Sequence, residues 1–142
     1  MQFPDVNVLI YAFRNDSPEN AVCRAWLDTT YGERRPLAVC RHTLASVIRV
    51  TTNRRSFRQA STLDEAIGFC EDLLAYPHCE LIEPGRDHWR IFTTLLKETG
   101  ITGPMVTDAW LAALAIEWNC EFVTMDRDFA RFPKLRCSNP VN

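Results

Sequence analysis

No stretch of the sequence approaches the roughly 18 consecutive apolar residues that a membrane-spanning helix needs, so no such helix is expected. The opening residues M-Q-F-P-D carry neither a basic cluster nor an apolar h-region. A secretory leader is therefore not expected, and a cytoplasmic location is. Repeats, low-complexity tracts and linkers are missing, which leaves one domain over residues 1–142. No C-x-x-C pair occurs among the six cysteines, Cys23, Cys40, Cys70, Cys79, Cys120 and Cys137. Widely spaced and set in apolar segments, they are expected to be reduced, buried, small hydrophobes rather than a zinc or redox centre. A large positive charge is lacking too: the net charge is −2, which argues against a protein that coats nucleic acid by charge alone. Lysine is scarce, since 14 of the 16 basic residues are arginine, with clusters at Arg34-Arg35 and at Arg54, Arg55 and Arg58. Arginine forks suit phosphate, although codon bias explains such an excess equally well. What remains is an ordinary globular composition, 46% hydrophobic and 24% charged, on a chain long enough to bury its own core.

Apolar segments alternate between short and long, the pattern of a parallel α/β sheet. V-N-V-L-I-Y-A-F passes either as a strand or as a helix that follows a very short strand ending near Asp5, and periodicity does not choose between them. Ser17 and Pro18 predict a helix over 17–30, as N-cap and first helical residue. Strands are expected at 36–40, 80–84 and 120–124. Further helices are expected at 43–52, at 61–74 with Ser61 or Thr62 as cap, at 86–100 ended by Gly100, and at 106–118. The 106–118 helix is apolar on all sides and should be buried.

Aspartates fall at three strand or helix junctions: Asp5, Asp108, and the pair Asp126 and Asp128 in T-M-D-R-D-F. An open parallel sheet brings such junctions to one edge, where ligands bind. Each acid has an ordinary explanation alone: Asp5 as a helix cap, Asp108 as a dipole-complementing acid, Asp128 as a loop acid. Together they suggest a site for Mg²⁺ or Mn²⁺, hard cations that prefer oxygen ligands and relieve carboxylate repulsion. Such an ion activates a water or polarises a phosphoryl oxygen. Asn7 could orient Asp5 or a bound water. His42 and His88 have no ligand partner at useful spacing.

D-V-N-V-L-I-Y-A, V-T-D-A-W-L-A-A-L-A-I-E and V-T-M-D-R-D-F-A-R-F-P together resemble the PIN-domain ribonucleases, and more narrowly the VapC toxins of type II toxin–antitoxin systems. The resemblance runs from Asp5 to the closing N-P-V. It implies a PIN-like three-layer α/β/α sandwich with a central, mainly parallel sheet. It also implies a Mg²⁺- or Mn²⁺-dependent endoribonuclease acting on tRNA, rRNA or mRNA, a VapB-type antitoxin partner and a homodimer. Carried over by position, Asp5, Asp108, Asp126 and Asp128 match the family's catalytic acids, with Asp5, Asp108 and Asp126 as metal ligands. Asn7 and Thr107 match the polar residues beside them. Many PIN domains carry a glutamate in the helix after the second strand, and here L-A-S-V-I-R-V puts Ser46 in its place. Serine can hydrogen-bond a water but supplies no charge, so weak metal affinity is expected.

For RNA, Arg49, Arg127 and Arg131 are the preferred phosphate contacts, with Arg41, Arg54, Arg55 and Arg58 as further candidates. Phe57 or Trp110 could stack on a base, while Trp110 and Trp118, eight apart, also fit a core role. Two other functions compete. Ser46 motivates a non-catalytic module that binds RNA or protein. D-x-N-V also has a distant likeness to the D-x-D-x-[TV] of aspartyl-phosphate transferases, but Asn7 cannot serve as their general acid.

Overall fold

A computed structural model describes residues 1–141. Five three-residue strands form an all-parallel sheet: β1 (Gln2–Pro4), β2 (Leu37–Val39), β3 (Cys79–Leu81), β4 (Glu121–Val123) and β5 (Arg136–Ser138). Their order is β3-β2-β1-β4-β5, with Phe3 opposite Phe122 and Ala38 opposite Glu80. Six helices connect them: α1 (Val6–Phe13), α2 (Asn20–Gly32), α3 (Arg41–Thr51), α4 (Leu63–Ala75), α5 (His88–Thr99) and α6 (Val106–Glu117).

Strand side chains alternate between two cores, as a pleat requires. Leu37, Val39 and Val123 pack with α1 to α4, while Phe3, Ala38 and Phe122 pack with α5 and α6. The expected three-layer sandwich follows. From β1 the chain steps outward to β2 and β3, then crosses the other face through α5 and α6 to β4, on the opposite side of β1. The β1/β4 boundary is thus the topological switch point, where open α/β sheets leave a crevice.

Residues 6–13 are the helix of the two alternatives, entered directly from β1 with Asp5 as N-cap. Thr62 caps α4 in a full capping box with Glu65. Gly100 ends α5 at φ 70°, the left-handed conformation that favours glycine. Two expectations need correction, the start of the second helix and the burial of Cys137, and one strand was not expected. The second helix starts at Asn20, not Pro18, because the Ser17 hydroxyl is spent on the Glu19 carboxylate and the Asn20 amide donates to the Tyr11 carbonyl. The 136–138 strand has no counterpart in the sequence reading, since a half-exposed R-C-S edge carries no apolar period. Cys137 on that strand is also exposed, unlike the buried Cys23, Cys40, Cys70 and Cys120.

Candidate active site

The crevice at the switch point is a cleft of about 410 Å³. Asp5, Asn7, Ser46, Arg49, Thr107, Asp108 and Asp126 all line it. Asp5 follows β1 and Asp126 follows β4, while Asp108 projects from the first turn of α6, behind a 3₁₀ turn over Gly103–Met105. Three junctions distant in sequence therefore meet at one sheet edge, as the strand-end placement of the acids predicts.

A chain of hydrogen bonds ties these groups together. Asp5 Oδ1 accepts from the Val6 N–H at 2.7 Å and Asp5 Oδ2 from the Thr124 hydroxyl at 2.8 Å. Thr124 Oγ1 in turn accepts from the Asp126 N–H at 3.0 Å, and Asp126 Oδ1 from the Asp128 N–H at 2.8 Å. Asp128 does not line the cleft. It is exposed on the Arg127–Arg131 3₁₀ turn, and its carboxylate pairs with Arg131.

Electrostatically the cleft is acidic and under-compensated. Burial pushes the Asp5 carboxyl up to about 6, with Asp108 and Asp126 adding to the rise and the Thr124 and Val6 hydrogen bonds opposing it. Asp108 is also raised, first by burial and then by the charges of Asp126 and Asp128, with Arg131 acting in the other direction. Buried acids raised further by neighbouring carboxylates form a ready site for a cation. Among the described residues, no three Asp, Glu, His or Cys side chains come close enough to hold one ion between them. The three acids thus share a cleft without converging on a single point.

Opposite the acids stands α3. His42, Ser46, Arg49 and Val50 recur at i, i+4, i+7 and i+8 along one face of that helix and line the cleft together. Two of the site's residues escaped the sequence reading. Thr124 is a neutral hydroxyl whose only signal is its T-x-D spacing from Asp126. His42 has no ligand spacing, and its place in the cleft comes from the course of α3. Its ring lies 5.4 Å from that of Trp110, which also meets His88 edge-on at 4.9 Å. Both stacking candidates are engaged within the protein, Trp110 between these histidines and Phe57 against Arg14 at 4.0 Å.

The PIN domain family model matches residues 3–135. Across 136 residues the chain is 39% identical to ribonuclease VapC25 of Mycobacterium tuberculosis, covering 96% of each. The chain belongs to the PIN domain family, among its VapC ribonucleases. VapC43 of the same organism is 39% identical over 138 residues, covering 97% of this chain and 94% of the relative. The VapC fold is also met in solved structures. One is a VapBC2 complex from Rickettsia felis bound to promoter DNA, with TM-score 0.71, 18% identity and 97% of both chains covered. Another is VapC20 of Mycobacterium tuberculosis, described as a toxin that cleaves the sarcin–ricin loop, with TM-score 0.66, 14% identity and 96% and 99% of the two chains covered.

Proposed function

We propose that this VapC-family chain is a Mg²⁺- or Mn²⁺-dependent endoribonuclease, acting in the cytoplasm as the toxin of a type II system with a VapB-type antitoxin. The observation that carries the reading is the cleft at the β1/β4 switch point, which Asp5, Asp108 and Asp126 line together and in which burial and neighbouring carboxylates raise both Asp5 and Asp108. The donor set fits a small hard ion, which takes one or two carboxylates and fills its remaining positions with water. Asp5, Asp108 and Asp126 are the candidate ligands: Asp5 accepts one hydrogen bond on each oxygen and Asp126 one on Oδ1, and each of these oxygens keeps a lone pair for the ion. Asn7, Ser46 and Thr107 offer polar groups that orient water in the same cleft. When bound, the ion supplies Lewis acidity for the phosphoryl oxygen and lowers the pKa of an attacking water. Arg49, on the α3 side, is placed to hold the scissile phosphate against the acidic wall.

Cleavage of pooled single-stranded RNA in Mg²⁺ or Mn²⁺ tests the proposal. Asp108→Asn is expected to reduce it at least 100-fold, the order set by loss of one precisely placed electrostatic group, with the circular dichroism spectrum unchanged. Cutting at the wild-type rate by that variant would reject the assignment. The neutral Ser46 in the cleft favours one second reading, a non-catalytic RNA-binding module. Intact RNA in Mn²⁺ alongside measurable RNA binding by the wild type would support that module instead.

A further inference from the structure

Six ion pairs engage Arg14, Arg24, Arg35, Arg41, Arg90 and Arg131 among the described residues. Arg49, Arg54, Arg55 and Arg58 take part in none of them. All four are exposed, and all belong to the last turn of α3 or to the loop that follows it. An unneutralised cationic strip therefore starts at the cleft, with Arg49 in its wall, and continues over residues 54–58. Arg54 follows Arg49 by five positions, so the strip's second member lies within ~18 Å of its first.

The loop that carries the strip is built rather than loose. The Ser61 N–H donates to the Thr51 carbonyl at 2.9 Å and closes its two ends. Asn53 folds the middle: its side chain accepts from the Arg55 N–H at 2.9 Å, and its carbonyl accepts from Ser56 and Phe57. Beneath the loop lies Arg14, only 9% exposed, which donates to the Gln59 carbonyl at 2.7 Å and to the Ser61 hydroxyl at 2.9 Å. A forked pair with Asp16 fixes the same guanidinium, and the Phe57 ring covers it at 4.0 Å. Asp16 is held below the usual carboxylate range by this hydrogen bond and charge. One arginine thus fastens the loop to the end of α1 with four of its five side-chain N–H donors, leaving the three outward arginines free.

The cleft itself repels a polyanion, because its wall is carboxylate and the whole chain carries −2. Resting on the ribonuclease reading above, we propose that Arg49, Arg54, Arg55 and Arg58 form a phosphate-binding track that receives single-stranded RNA on one side of the scissile bond, with Arg14 as the residue that positions it. Guanidinium forks match phosphate oxygens without reading bases, so the track sets affinity and register rather than sequence.

Binding of a fluorescein-labelled single-stranded RNA, measured by anisotropy against salt concentration in EDTA, tests the track. In Arg54→Gln/Arg55→Gln/Arg58→Gln, three lost phosphate contacts lower the slope of log K against log salt by about 2 and weaken binding about tenfold or more near physiological salt. Arg14→Lys keeps the loop's charges but cannot make the fork. It is expected to retain the wild-type slope while affinity falls several-fold. If Arg14→Lys fails to fold, the triple variant decides alone. Wild-type affinity and slope in the triple variant would overturn the proposal, as would loss of a bound protein partner with the RNA slope intact. Cleavage by the wild type, run in parallel, separates the two claims. Cutting with unchanged binding in the triple variant removes only the track. Absent cutting with arginine-dependent binding removes only the nuclease.

Discussion

Asp5 serves two demands that oppose each other. As N-cap of α1 it accepts from the Val6 N–H, and as a cleft acid it sits 6% exposed among other carboxylates. Its pKa, about 6 against 3.8 for the free group, means that the folded state holds this proton more tightly than the unfolded chain does. The associated stability is complete below pH ~4 and is lost as pH rises through ~6, a contribution of roughly 3 kcal/mol. Asp5→Asn is therefore expected to melt at higher temperature than wild type at pH 7 in EDTA, with the difference vanishing towards pH 4. Thermal melts across that range check it. Thr124 is the neutral partner that makes the arrangement possible, donating to Asp5 and accepting from the Asp126 N–H. Thr124→Val is expected to cut RNA cleavage 10- to 100-fold. Thr124→Ser, which keeps the hydroxyl, should restore most of the rate, a rescue that a purely packing role would not give. The acids were legible in the sequence because each charge stands at a junction where a strand or helix changes. Thr124 was not, because a hydroxyl beside a strand end looks the same whether it binds a carboxylate or water.

At the scale of elements, legibility follows how much of an element's signal is local. The helices at 63–75 and 88–99 carry their own caps, Thr62 with Glu65 and Gly100, and the sequence places them within two residues. The start of α2 depends on the Asn20 amide reaching Tyr11, a tertiary tie that outweighs the local Ser-Pro pattern. The fifth strand exists only through pairing with β4, as in the Thr124 N–H donating to Ser138 at 2.9 Å. A similar long tie holds α6. Glu117, at the helix C-terminus where the dipole disfavours an acid, accepts from the Gly85 N–H at 2.7 Å and the Asp87 N–H at 2.9 Å. A Cβ on Gly85 would lie 2.8 Å from that carboxylate, so a larger residue there would push the Glu117 side chain aside. Beside it the Trp118 indole donates to the Glu83 carbonyl at 2.8 Å. Glu117→Ala hands two exposed loop donors to water and is expected to destabilise the fold by about 1 kcal/mol. Denaturant unfolding reads that loss, and the cleavage rate per folded molecule should stay near wild type.

For the molecule as a whole, the β3-β2-β1-β4-β5 order divides the chain into two unequal parts that meet at the cleft. The α1 to α4 side brings Asp5, Asn7, Ser46 and Arg49, and the latched basic loop extends it outward. The α5 and α6 side brings Thr107, Asp108 and Asp126. That division was readable from alternating segments and strand-end acids. The basic residues at 49 and 54–58 were readable as phosphate candidates, whereas the ion pairs that leave them out, and the Arg14 latch beneath them, were not. One consequence concerns synthesis. The bond between Thr124 and Asp5 spans 119 residues, and β1 meets β4 only after the chain has grown past residue 123. A nascent chain therefore has no assembled cleft until residue 124 has been made, 119 residues after Asp5. Before β4 pairs with β1, Asp5 lacks both its Thr124 partner and the Asp126 that lines the cleft with it.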